Sequence, residues 1–255
     1  MIVLWCDGAH SPDENMRRDG ALLAAAEADP GRPPVLRLFR FAPHGITLGR
    51  AQDPARELDL DRCRDDGVPW AVRPTGGRAI FHAEEWTCSC CAPVSDPQWG
   101  GSAAASYGRI GRLLADSLQR LGVPAALAPG VRGPAGVPRR GVAAPCFAST
   151  ARHEIVVGGR KLVGSAQRRG ARALLEQSSL LLGDGHLRLA DYLAIDDAER
   201  PRVREALRAA SGHAGGWLGA DPPLERWADA LLGLIPDAER VEADAGRVRL
   251  LPPRG

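Results

Sequence analysis

Between Ser102 and Leu121 the residues Ile110, Leu113, Leu114, Ser117, Leu118 and Leu121 recur at helical spacing, and Gly122 follows as a stop. This spacing puts one apolar stripe on a long helix, which must be buried against another layer. Other patterned segments repeat every second residue instead. Val35-Leu36-Arg37-Leu38-Phe39-Arg40-Phe41 alternates as a half-buried strand. A long amphipathic helix interleaved with such strands predicts an α/β fold: a mixed β-sheet flanked by helices.

Capping and turn residues set the expected boundaries. A short strand is expected at residues 2–6, and Ser11-Pro12-Asp13-Glu14 is a capping box whose helix runs to about Asp29, before Pro30-Gly31. Gly45 to Gly49 begins another strand, and residues 55–66 read as one short polar helix. Trp70 to Cys91 carries two strands around a Pro-Thr-Gly-Gly turn. Pro129 to Cys146 is rich in Gly, Pro and Arg and too long for a routine connection. Strand-like runs follow at 153–157, 160–167 and 172–182, the first two joined by Gly158-Gly159, a hairpin signature. Helices near 199–210 and 223–234 and a strand pair near 239–251 finish the chain. No repeat or linker-like stretch divides it, so residues 1–255 are expected to form one domain.

Bulk properties narrow the function classes. The net charge is +2 with 25% charged residues, ordinary for a globular protein, and no basic motif favours nucleic acid. No apolar run approaches bilayer-spanning length, and MIVLWCDGAH has no basic region before its apolar run. A cytoplasmic protein without membrane insertion is therefore expected. The six cysteines (Cys6, Cys63, Cys88, Cys90, Cys91 and Cys146) do not suggest a disulfide framework in a chain of this length. Cys88, Cys90 and Cys91 have no second ligand pair at zinc spacing, and their alternation suits a strand with small buried residues, so no metal site is expected.

Three features point to chemistry. Lys161 is the only lysine among the 33 Lys and Arg residues. Arginine cannot replace lysine in every role, because a guanidinium is planar while an ammonium is a compact donor; a compositional bias toward arginine would leave a lone lysine just as well. Cys146 sits between Pro145 and Phe147 at the end of the glycine-rich stretch, unlike the strand cysteines, and suits a nucleophile near basic groups. Arg73-Pro74-Thr75-Gly76-Gly77-Arg78-Ala79-Ile80-Phe81-His82 pairs glycines that admit a close backbone approach with arginines able to meet a carboxylate or phosphate. A plain hairpin turn would use the same glycines.

Together these segments resemble the lipoate ligase and octanoyltransferase superfamily, whose catalytic domain has the biotin/lipoate ligase-like fold. The resemblance rests on R-P-T-G-G-R-A-I-F-H with Glu85 and Thr87-x-Ser89 after it, and on Gly159-Arg160-Lys161-Leu162-Val163-Gly164-Ser165-Ala166-Gln167. Pro145-Cys146-Phe147 resembles the cysteine-dependent octanoyltransferases in particular. Asn15-Met16…Leu22 and Leu48-Gly49-Arg50-Ala51-Gln52 are weaker echoes. The motif-bearing part covers about residues 12–182, leaving a C-terminal helical extension at about 195–255.

This resemblance implies an acyltransferase in lipoate biosynthesis. Cys146 would be the acyl-accepting nucleophile and Lys161 the catalytic lysine lining the acyl site. Arg73, Thr75, Gly76, Gly77, Arg78, His82, Gly164, Ser165 and Ala166 would bind substrate, with no cofactor. The implied donor is octanoyl-acyl carrier protein. The implied acceptor is a lipoyl domain, of the glycine cleavage H protein or of a dehydrogenase-complex acyltransferase subunit. Arg139, Arg140, Arg168, Arg169 and Arg172 would steer the acidic donor. Val72, Cys88 and Gln177 depart from the family pattern and bear on substrate preference. An ATP-dependent lipoate–protein ligase is the nearest rival, but such ligases usually have a third glycine where Arg78 stands and Asp-x-Gly-Asn where Ala83-Glu84-Glu85-Trp86 stands. A lipoyl-domain octanoyl amidotransferase and a non-catalytic paralogue that binds acyl groups or lipoyl domains are the further alternatives.

Overall fold

Ile2, Val3, Leu4 and Trp5 are all buried, as in a strand covered on both faces. The computed structural model describes residues 1–128 and 154–251. β1 (Ile2–His10) runs beyond the expected end through a register shift between Cys6 and Gly8, where Gly8 takes φ +76°. α1 (Pro12–Ala28) begins as the capping box predicts, with Glu14 N donating to Ser11 Oγ at 3.2 Å. β2 (Val35–Phe41) spans the alternating run.

The middle of the chain departs from expectation twice. The single polar helix is two, α2 (Pro54–Glu57) and α3 (Leu60–Asp65), because Leu58 is extended and Asp59 caps a fresh start through Arg62 N at 3.0 Å. The Pro-Thr-Gly-Gly segment is not a hairpin turn. β3 (Gly45–Leu48) lies between β4 (Trp70–Val72) and β5 (Ile80–His82) in a three-stranded sheet, so residues 73–79 cross over β3. β6 (Glu85–Pro93) then enters the larger sheet and is buried along its whole length, including Cys88, Cys90 and Cys91.

α4 (Ala103–Arg120) is the long helix read from the sequence, and Gly122 follows it at φ +84°. After β7 (Ala126–Leu127), β8 (Ile155–Val157) and β9 (Arg160–Arg169) form the expected hairpin, with Gly158 and Gly159 at φ +55° and +75°. β10 (Ala173–Leu181) follows. α5 (Leu189–Tyr192), α6 (Arg200–Ala210), α7 (Gly215–Leu218) and α8 (Leu224–Leu232) come next. The expected terminal strand pair is instead one strand, β11 (Ala238–Glu242), and a helix, α9 (Ala243–Leu250). β11 has β1 as its parallel partner, a pairing that local periodicity cannot reveal.

The large sheet has the order β11-β1-β2-β6-β10-β9-β8-β7, with parallel pairs around β1 and antiparallel pairs elsewhere, so it is mixed as predicted. Leu174 and Leu180 pack in the cluster that holds Leu114 and Leu118 of α4 and Trp227 of α8. There Trp227 stacks on Trp86 at 5.5 Å and donates to Ser117 Oγ at 2.9 Å, which explains a serine on the apolar stripe of α4. Leu175 instead joins Leu22 and Leu23 of α1 in a second cluster. Among the described residues, no helix is long and apolar enough to cross a membrane.

Candidate active site

Segments from both sheets and α1 converge on a small, partly open cavity. Gly164, Ser165 and Ala166 of β9 line it beside Gln177 and Ser179 of β10, with Gly164 paired to Ser179 and Ala166 to Gln177. A hydrogen at 164 and a methyl at 166 leave space in front of the sheet that larger side chains would fill. Met16, Phe41 and Ile80 add apolar wall, a lining suited to a hydrocarbon chain.

His82 joins the polar side of the cavity and is buried. Its Nδ1 is bonded to Glu85 Oε1 at 2.7 Å and its Nε2 to Thr47 Oγ1 at 2.6 Å, while its ring stacks on Phe41 at 3.9 Å. Thr87 Oγ1 donates to the same Glu85 oxygen at 2.5 Å. Glu85, read in the sequence only as part of a motif, thus fixes the imidazole together with Thr47, and Thr87 holds Glu85 in place.

Arg73 also lines the cavity, and its guanidinium braces its own loop. Nε and Nη2 donate to Gly76 O at 3.0 and 2.8 Å, Nη2 to Arg78 O at 2.7 Å, and Nη1 to Thr47 O at 3.1 Å. Thr75 stands behind the wall, where its hydroxyl donates to Gln177 Oε1 at 2.6 Å. Gln177 Nε2 donates in turn to Asp19 Oδ2 at 2.6 Å, and Asp19 Oδ1 accepts from Arg37 and Ser89. Gly76, Gly77 and Arg78 lie on the loop rather than in the cavity wall. Gly49 packs against that loop so closely that a Cβ there would stand 2.0 Å from Gly77 O.

Lys161 stands three residues before Gly164 on the same strand, outside the wall that the described residues form. It is buried, and its Nζ donates to Glu154 Oε1 at 2.5 Å. Its carbonyl accepts from Gly212 N at 2.9 Å, which ties the C-terminal part of the chain to this strand. Ser211, bridged to Lys161, is bonded through its Oγ to His186 Nε2 at 2.8 Å, and burial holds that imidazole below its usual range. Cys146, Arg139 and Arg140 lie outside the described residues. Arg169 and Arg172 are exposed near the β9–β10 turn, and Arg168 is half-buried.

The strand cysteines are not alternative nucleophiles. Burial pushes the Cys91 thiol up to about 12 and raises Cys88 and Cys90 well above the usual thiol range, so at neutral pH they stay protonated. Sequence reasoning missed Phe41, Thr47 and Glu154 as site residues. Only the hairpin register, which places Val156 opposite Lys161, brings Glu154 to the lysine.

Residues 11–231 match the lipoyl protein ligase A/B catalytic domain. The chain belongs to this family. Among its relatives, an Octanoyltransferase LipM from Symbiobacterium thermophilum is 38% identical over 177 residues, covering 69% of this chain and 64% of that protein. An Octanoyltransferase LipM from Moorella thermoacetica is 37% identical over 210 residues, covering 81% and 73%. The chain thus aligns with just under two thirds of the first relative's length. Among solved structures, a chain from an archaeal lipoylation system of Thermoplasma acidophilum, with a bipartite lipoate protein ligase and its E2 lipoyl domain, superposes with TM-score 0.69 at 19% identity, covering 94% of this chain and 85% of that one. A lipoate-protein ligase A bound with ATP superposes with TM-score 0.67 at 20% identity, covering 95% and 88%. Within the lipoyl protein ligase A/B family, these likenesses establish the lipoate-ligase catalytic fold expected from the motifs.

Proposed function

We propose that this chain is an octanoyltransferase of lipoate biosynthesis that carries the acyl group on Cys146. The octanoyltransferase relatives, at up to 38% identity, are the observation that carries the reading. The cavity supports it: its small-residue wall at Gly164 and Ala166 and its apolar sides suit a saturated chain, with Lys161 on the same strand.

The donor is octanoyl-acyl carrier protein. The Cys146 thiolate attacks its thioester carbon; a sulfur–carbon bond forms as the donor's sulfur–carbon bond breaks, and the carrier thiolate leaves and takes up a proton. Lys161 stabilises the oxyanion of the tetrahedral intermediate. The ε-amine of a lysine on a lipoyl domain then attacks the acyl-cysteine. A nitrogen–carbon bond forms, the Cys146 thiolate departs, and the amine proton goes to it. The first exchange is nearly isoenergetic and the second runs downhill from thioester to amide, so the cycle needs no ATP. Exposed Arg169 and Arg172 supply positive charge that would attract an acidic carrier protein. The place of β11 in the sheet that carries the site supports reading the chain as one domain.

The test is intact mass after incubation with octanoyl-acyl carrier protein, without ATP, for the native chain and Cys146→Ala. A single octanoyl adduct released by hydroxylamine and missing in the variant is expected. No adduct, with octanoyl-adenylate forming once ATP and octanoate are supplied, would mean a ligase instead.

A further inference from the structure

Glu154 is a buried carboxylate to which the scheme above gives no role. It is 5% exposed and Lys161 4%, and they form an ion pair at 2.5 Å. Backbone bonds hold both ends: Ala128 N donates to Glu154 O at 2.7 Å and Gly212 N to Lys161 O at 2.9 Å.

A pair built only for stability would be expected to look different. The other buried cations, such as Arg37 and Arg73, are arginines whose forks each meet several acceptors; Arg37 reaches Asp7, Asp19 and Asn15. At 161 the chain keeps an ammonium, and Glu154 Oε2 is buried with no hydrogen-bond partner among the described residues. A guanidinium could serve both carboxylate oxygens and remove that cost. A point-charge donor has been kept where a bidentate one would satisfy more of the carboxylate.

We infer that Glu154 is a positioning residue that fixes the direction of Lys161 Nζ for the acyl-transfer step. The inference rests on the reading of Lys161 as the group that stabilises the oxyanion. Glu154 acts through the lysine and needs no contact with substrate.

The test is single-turnover acylation of the full chain by octanoyl-acyl carrier protein, followed by intact mass, with thermal unfolding of every variant. Glu154→Gln keeps the shape and an acceptor but only a neutral hydrogen bond, so acylation at saturating donor slows about tenfold with donor KM unchanged. Glu154→Ala slows it about a hundredfold. Adding Glu154→Gln to Lys161→Met slows Lys161→Met no further, because the carboxylate has nothing left to position. If Glu154→Ala does not fold, Glu154→Gln and the double variant decide. Glu154→Gln within about threefold of the native rate, or a loss that adds in full on top of Lys161→Met, overturns the inference. Native-rate acylation by Lys161→Met would instead sink the reading of Lys161 itself, a separate failure.

Discussion

Thr75 Oγ1 donates to Gln177 Oε1 at 2.6 Å although the residues lie 102 positions apart. That bond joins the Pro-Thr-Gly-Gly loop to β10 and, through Gln177 and Asp19, to α1. Gln177 was read from the sequence as a departure bearing on substrate preference. In the fold its amide is spent on both sides, as acceptor for Thr75 and donor to Asp19, so the departure is built into the site's frame.

Thr75→Val keeps the shape and removes the donor, leaving Gln177 Oε1 without this buried bond. Urea unfolding is expected to show a loss of about 1–3 kcal/mol, with Thr75→Ser recovering most of it. An unchanged midpoint for the valine variant would mean that the bond contributes nothing to holding the loop.

Gly49→Ala should be worse. Its Cβ would meet Gly77 O at 2.0 Å and Gly77 C at 2.8 Å, and both are backbone. The loop must move, at a cost of about 3 kcal/mol or more by chemical denaturation, and acyl transfer should fall with it. Native-like stability and rate together would show that the approach of Gly49 to Gly77 is not constraining.

Ala166→Leu tests the cavity without touching charged groups. The added carbons project into the space in front of β9, so acylation by an octanoyl donor should fall at least about tenfold while a butanoyl donor loses less. The stability change should stay within about 3 kcal/mol. Equal losses for both chain lengths would place the acyl chain elsewhere.

Glu176 makes stability depend on pH. Desolvation by burial raises its carboxyl to about 8, a hydrogen bond from Gln167 opposes this, and Oε1 has no partner among the described residues. The folded state therefore keeps a proton that the unfolded chain releases near pH 4.5. Stability attributable to this group is full below about pH 4.5, falls as pH rises, and is lost by about pH 8. Glu176→Gln removes the titration, so its advantage over the native chain should grow across that window to a few kcal/mol, on the order that a shift of this size implies. Parallel stability curves from pH 5 to 8, a window set by the shift of Glu176, would contradict the assignment.

Much of the fold was legible because periodicity is local. The apolar stripe of α4, the alternation of β2, the capping box of α1 and the paired glycines between β8 and β9 each state their own conformation. The strand-pairing misreadings share one cause. β4 and β5 look like a hairpin until β3 is seen between them, and the last strand looks paired to its neighbour until β1 takes it. Strand partners are chosen by burial across the whole molecule, which no window of sequence contains.

The candidate site divides along the same line. The sequence by itself determined the family through its motifs, the lone lysine, and the small residues at 164 and 166, because these depend on residue identity at fixed spacing. Only the tertiary structure decided what each does with its neighbours: Arg73 bracing its own loop, His82 held between Glu85 and Thr47, Thr75 bonded to Gln177, and Glu154 brought to Lys161. A buried polar atom must find a partner, and which partner is within reach is fixed only when the sheets and α1 have closed on one another.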